Sequence, residues 1–177
     1  MKSRIDLAID FSKRGYQTGA EIGVADGRYS QILCESIPGL KLYCIDPWAV
    51  YESWRTQGYQ DNAFQQAQEK LNIYNVYFIK KPSIEASLEI EDNSLDFVFI
   101  DGGHSFDDVM VDIIIWARKV KKGGIVSLHD YCHFTNSGVI EAVNKYCEIH
   151  RIEIKLINRN GKNHSDDRQP VVWWVKK

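Results

Sequence analysis

Four prolines, two methionines and four cysteines in 177 residues leave this chain little with which to staple, kink or oxidise itself. Cys34, Cys44, Cys132 and Cys147 form no C-x-x-C pair, which argues against a disulfide framework or a clustered thiolate metal site and for a reducing, cytoplasmic setting. No apolar run approaches the roughly 20 residues that cross a bilayer, and the opening Met1-Lys-Ser-Arg-Ile-Asp-Leu lacks the apolar stretch of a secretory signal. Excess charge of one sign is also missing. With a formal net charge of −2 and lysines in isolated pairs such as Lys80-Lys81 and Lys121-Lys122, there is no basic stripe to follow a phosphate backbone, so nucleic acid is not expected as a partner. What is abundant is apolar material, at 44% of residues with 12% aromatic, enough for one compact domain over residues 1–177.

Strand-like runs recur at Gly19 to Gly23, Lys41 to Asp46, Asn75 to Ile79, Leu95 to Asp101, Gly124 to Leu128, Ile152 to Ile157 and Pro170 to Val175. Helix-like stretches separate the first six. The clearest follows Ser105, where Phe106, Val109, Met110, Ile113, Trp116, Ala117 and Val120 keep one apolar face, with Ser105 as N-cap, Asp108 completing a capping box and Gly123-Gly124 as the stop. Asp107, Asp108 and Asp112 read as charges on its solvated side. Between Ile157 and Val171 the residues are polar and too few for a crossover helix, which predicts an antiparallel hairpin. The expected fold is therefore α/β, a Rossmann-like three-layer sandwich with a mostly parallel seven-stranded sheet and an antiparallel last strand, whose Trp173 and Trp174 serve the sheet edge.

Ligands of open α/β sheets gather beyond the C-terminal ends of the strands, and four of those ends are polar here. Glu21 to Gly27 is a glycine turn: Gly23 and Gly27 either admit a ligand to the backbone or simply make a tight strand-helix turn. Asp46 follows about 20 residues later, where a ribose would be met. The turn misses G-x-G-x-x-G, because Ala25 and Arg28 stand in the pattern, and Glu21 and Asp26 would repel a pyrophosphate. That favours a sulfonium cofactor over NAD. The other two ends, Asp101-Gly-Gly-His104 and His129-Asp130-Tyr131, place two carboxylates on strands that would lie about 4.8 Å apart if adjacent, near enough to share a cation or a substrate hydroxyl. His104 overhangs the same mouth, and an imidazole near its ordinary pKa can take a proton at neutral pH. Trp48, Tyr51, Trp54 and Tyr59 are either core or a lid over it.

Phe99-Ile-Asp101-Gly-Gly-His104-Ser-Phe with Gly123-Gly-Ile-Val-Ser-Leu-His-Asp130-Tyr131 resembles the class I S-adenosylmethionine-dependent methyltransferases over nearly the whole chain. The likeness is to the small-molecule branch typified by macrocin O-methyltransferase and cephalosporin hydroxylase-like proteins, and also to catechol O-methyltransferase. This resemblance implies that Glu21, Gly23 and Gly27 hold the methionine part of S-adenosylmethionine, Asp46 the ribose, and Ser83 the neighbourhood of the adenine. Ser30 lies one residue beyond a matching hydroxyl, in whose place Tyr29 stands. Asp101 and Asp130 fall where two aspartates bind Mg2+ or another divalent cation, with His129 as third ligand, since Tyr131 occupies the place of an amide. Asp101 is also a contact to cofactor or substrate, and His104 stands in the place of a catalytic lysine, with His129 the other candidate base. The function implied is methyl transfer from S-adenosylmethionine to an oxygen of a small-molecule acceptor. A cofactor-binding protein of the same fold without transferase activity, and an NAD-dependent oxidoreductase, are the alternatives.

Overall fold

The computed structural model describes residues 1, 3–50, 56–133, 137–157 and 170–177. Seven strands form one sheet in the order β3-β2-β1-β4-β5-β7-β6: β1 (Thr18–Ile22), β2 (Lys41–Ile45), β3 (Val76–Ile79), β4 (Leu95–Ile100), β5 (Val120–Leu128), β6 (Lys155–Ile157) and β7 (Val171–Val175). β1 to β5 pair in parallel, whereas β7 runs antiparallel to both β5 and β6. The alternating pattern thus yields the expected Rossmann-like sandwich with its reversed last strand. One correction concerns position: β7 inserts between β5 and β6, so Trp173 and Trp174 are buried inside the sheet and not at its edge. Among the described residues no helix is long and apolar enough to cross a membrane.

Because side chains alternate along a strand, β4 feeds two cores at once. Val98 and Ile100 join Ala20, Ile22 and Trp116 on one face; Phe97 and Phe99 join Phe11, Leu33 and Trp48 on the other. The first face packs α5 (Phe106–Lys119) and α6 (Val139–His150), and the second packs α1 (Arg4–Lys13), α2 (Arg28–Ser36) and α3 (Gln57–Leu71). α1 precedes the first strand and has no counterpart in the sequence reading; Ser3 caps it, and Leu7, Ala8 and Phe11 bury one side.

Ser105 does cap α5, accepting from the Asp108 amide, but its hydroxyl also donates to the Asp108 carboxylate at 2.6 Å. The helix ends sooner than its glycines suggest, at Lys119, because Val120 is already extended and enters β5. Gly123 then adopts φ +84° within an irregular stretch of that strand, where the register against β4 slips between Leu95 and Phe97. A short helix, α4 (Ser83–Ser87), follows β3.

Candidate functional site

The C-terminal ends of β1, β2, β4 and β5 are brought side by side by the strand order, and each leads into a loop under local control. Three of these loops contain a residue other than glycine in the left-handed region: Ala25 (φ 49°), Trp48 (φ 42°) and Asp130 (φ 55°). Such conformations cost of order 1–3 kcal/mol each and persist where neighbours enforce them.

In the first pair of loops the enforcing group is Asp46. It is buried, and its two oxygens accept from the amides of Ala25 (3.0 Å) and Trp48 (2.7 Å), while the Trp48 indole N–H donates to the Ala25 carbonyl at 2.8 Å. A carboxylate held by two backbone amides is fixed in direction, and a carboxylate oxygen can accept more than one hydrogen bond, which suits a ribose diol. Trp48 is fully buried against Phe64 and Phe78, so it is core and not lid, whereas Tyr59 is exposed. Tyr51 and Trp54, the other two aromatics expected over the mouth, lie outside the described residues.

The glycines of the turn answer to the fold. At Gly23 (φ +86°) a Cβ would stand 2.0 Å from the Asp101 carbonyl oxygen, so its absence lets the β1 and β4 ends touch. At Gly27 (φ +79°) a Cβ would meet Ala67 of α3 at 3.0 Å. Of the two readings of this turn, tight packing is therefore a sufficient reason for both positions. Lys70 of α3 reaches the same turn, donating to the Asp26 carbonyl at 2.8 Å.

Glu21 and Ser30 face each other in the interior: the Ser30 hydroxyl donates to the Glu21 carboxyl, and both side chains are buried. Burial pushes the Glu21 carboxyl up to about 8, so at neutral pH the proton largely stays on it. Tyr29 is also interior, with its ring 4.2 Å from that of Phe99 and its hydroxyl donating to the Arg4 carbonyl. Ser83, expected beside an adenine, spends its hydroxyl inward. It donates to the Asp112 carboxyl and accepts from the Trp116 indole at 2.7 Å. Asp112 corrects the sequence reading outright, for it is 5% exposed instead of solvated, and burial raises its pKa to about 6. The signal was its spacing, since positions 109, 112 and 116 share the buried face of α5.

Beyond β4 and β5 the polar residues converge. His129 Nδ1 stands 3.0 Å from Asp130 Oδ1 and 3.4 Å from Asp101 Oδ1, and His104 Nε2 stands 2.9 Å from Asp130 Oδ2. Ligand atoms of Asp101, His104 and Asp130 all lie within 4.8 Å of one another, a grouping that fits a divalent cation. His129 is the innermost, with a side chain 10% exposed; its contacts to the carboxylates have ion-pair distance without hydrogen-bond alignment, and its Nε2 meets no hydrogen-bond partner among the described residues. Burial draws its pKa down, but the two carboxylates outweigh that and raise it to about 10. Burial likewise opposes ionisation of Asp130, yet the two imidazoles hold it well below the usual carboxylate range. Asp130 also raises the pKa of His104, so beside this carboxylate the imidazole grips its proton more tightly than a free histidine, which weakens it as a base. Tyr131 turns away, its hydroxyl donating to the Asn144 side chain.

The family description that fits this arrangement is that of a methyltransferase domain, which matches residues 20–131. The chain belongs to the methyltransferase-domain family. Its matched stretch runs from β1 through the Asp130 loop, and so takes in all four strand ends of the site. An uncharacterized protein of Acanthamoeba polyphaga mimivirus is 31% identical over 147 residues, 79% of this chain and 63% of that protein. The chain thus spans less than two thirds of the length of the curated relatives it matches, the second being a Sinorhizobium fredii protein covered over 13%. Two solved structures show the same methyltransferase fold. The O-methyltransferase from Bacillus cereus in complex with SAH has a TM-score of 0.70 at 13% identity, covering 97% of this chain and 80% of that one. An rRNA methylase from Streptococcus thermophilus has a TM-score of 0.68 at 16% identity, covering 99% and 98%.

Proposed function

We propose that this chain transfers the methyl group of S-adenosylmethionine to an oxygen of a small-molecule acceptor, with a divalent cation between Asp101 and Asp130. The observation that carries the reading is the Asp46 carboxylate, clamped by the Ala25 and Trp48 amides at the end of β2 and beside the β1 turn. That is a ready acceptor pair for ribose hydroxyls within a methyltransferase-domain match. Bound S-adenosylmethionine supplies a methyl group activated by its sulfonium. A cation on the Asp101 and Asp130 pair supplies Lewis acidity that lowers the pKa of an acceptor hydroxyl.

The chain's own part is orientation. The end of β1 separates the Asp46 side of the mouth, at β2, from the Asp101 and Asp130 side, at β4 and β5, and alignment of two bound reactants contributes about 7–11 kcal/mol to such reactions. The small net charge supports a small acceptor over a nucleic acid, and two of the solved relatives with this fold differ on that point by their names. A thermal-shift comparison of S-adenosylhomocysteine with NADH tests the cofactor: the first raises the melting midpoint and the second leaves it unchanged. A rise with NADH alone contradicts the reading. Cofactor binding without methyl transfer across a broad acceptor panel would support a binding protein of the same fold.

A further inference from the structure

The two imidazoles at this mouth occupy different places. His129 lies behind the carboxylates, 10% exposed, and bridges Asp101 Oδ1 and Asp130 Oδ1 from the interior. His104 lies at the front, 40% exposed, with Nε2 against Oδ2, the other oxygen of Asp130. The ligand atoms that come together within 4.8 Å of one another are two carboxylate oxygens and one imidazole nitrogen, His104 Nε2, which is buried although its ring is part exposed. The 2.9 Å between His104 Nε2 and Asp130 Oδ2 is close to the roughly 3 Å edge between adjacent ligands of an octahedral ion bound at about 2.1 Å.

We infer that His104 is itself a metal ligand, giving a two-carboxylate, one-imidazole set that prefers a divalent transition ion to Mg2+. The inference rests on the proposed cation site between Asp101 and Asp130. Carboxylates alone suit Mg2+ and Ca2+, whereas an imidazole nitrogen shifts preference toward the later, softer ions. His129 is the positioning residue behind the set. A buried ring whose nitrogens find no aligned hydrogen bond among the described residues, yet which sits at ion-pair distance from both carboxylates, is placed to steer them toward a shared ligand. The acceptor hydroxyl would then meet an ion held by Asp101, His104 and Asp130, and His104 would act on it through the metal.

Mn2+ titrated into the intact protein, followed by electron paramagnetic resonance, tests this without any turnover. We expect one site, bound at least about 10-fold more tightly than Mg2+ by competition, with spin-echo modulation from a directly coordinated nitrogen. In His104→Ala that modulation disappears and Mn2+ affinity falls at least about 10-fold. His104→Asp keeps Mn2+ bound, removes the nitrogen signal and narrows the preference over Mg2+, which guards against a folding defect in the alanine variant. Nitrogen modulation that survives both His104 variants and vanishes in His129→Gln overturns the assignment, as does a wild-type site with no nitrogen signal or no Mn2+ binding. Calorimetry with S-adenosylhomocysteine on the same samples separates the two readings: cofactor binding without the metal site sinks the ligand assignment alone, and a metal site without cofactor binding sinks the proposed transfer alone.

Discussion

The hydroxyl of Ser83 donates to the buried carboxyl of Asp112, tying the start of α4 to the middle of α5. Asp112 has a folded pKa of about 6, raised by burial above the ordinary 3.8. The folded state therefore binds the proton more tightly than the unfolded state, and stability falls as pH rises from about 4 to about 6. Above that window the cost is constant. In Asp112→Asn this loss is expected to vanish, leaving the variant up to about 3 kcal/mol less pH-sensitive across the window. Urea unfolding at pH 4 and pH 6.5 measures it, and an equal pH dependence in variant and wild type refutes it.

Asp46→Ala removes a carboxylate that holds its own loops and, in the proposed function, the ribose of the cofactor. Losing two charge-assisted hydrogen bonds to ribose, at about 1.5–3 kcal/mol each, should weaken S-adenosylhomocysteine binding by a few kcal/mol. The freed Ala25 and Trp48 amides add a smaller drop in melting temperature. Calorimetry that finds unchanged affinity would take Asp46 out of the site.

Activity of the proposed transfer should fall on exhaustive chelation and return with Mn2+, while affinity for S-adenosylhomocysteine stays the same. His104→Ala should lower kcat about 10-fold or more, by loosening the cation that would lower the pKa of the acceptor hydroxyl. Full turnover in chelator is the result that would exclude metal assistance.

Two left-handed glycines separate strain from collision. Gly15→Ala, at φ +73° with open space around it, should cost about 1–2 kcal/mol from backbone conformation alone. Gly23→Ala brings the same strain and also drives a methyl into the Asp101 carbonyl, a backbone atom that cannot step aside. Its cost should exceed about 4 kcal/mol or abolish folding. Equal melting temperatures for the two variants would contradict the packing account.

Periodicity made the sheet, the α5 stripe and the terminal hairpin legible, because burying an apolar face leaves a regular trace in sequence. It also pointed to the four strand ends that the fold gathers. What it could not supply was side-chain direction. Glu21, Ser30 and Ser83 stand at ligand-facing positions in the chain, yet each hydroxyl or carboxyl is satisfied from the interior. Asp112 was misplaced because it was read with Asp107 and Asp108 by its charge, although its spacing from Val109 and Trp116 sets it on the buried face, where the Ser83 hydroxyl satisfies it. The partnership of His104 with Asp130 joins residues 26 positions apart, beyond the reach of any local pattern.

The insertion of β7 between β5 and β6 bears on the order of assembly during synthesis. β5 gains its second neighbour, and the Asp130 loop gains the bond from the Tyr131 amide to the Pro170 carbonyl, only after residues 170–175 have left the ribosome. The Asp46 half of the mouth can form from the first 79 residues, since β1, β2 and β3 pair among themselves. A nascent chain would thus acquire the Asp46 side of the mouth well before the Asp101 and Asp130 side, and a chain shortened by β7 would keep the former with β5 left as a bare, sticky edge.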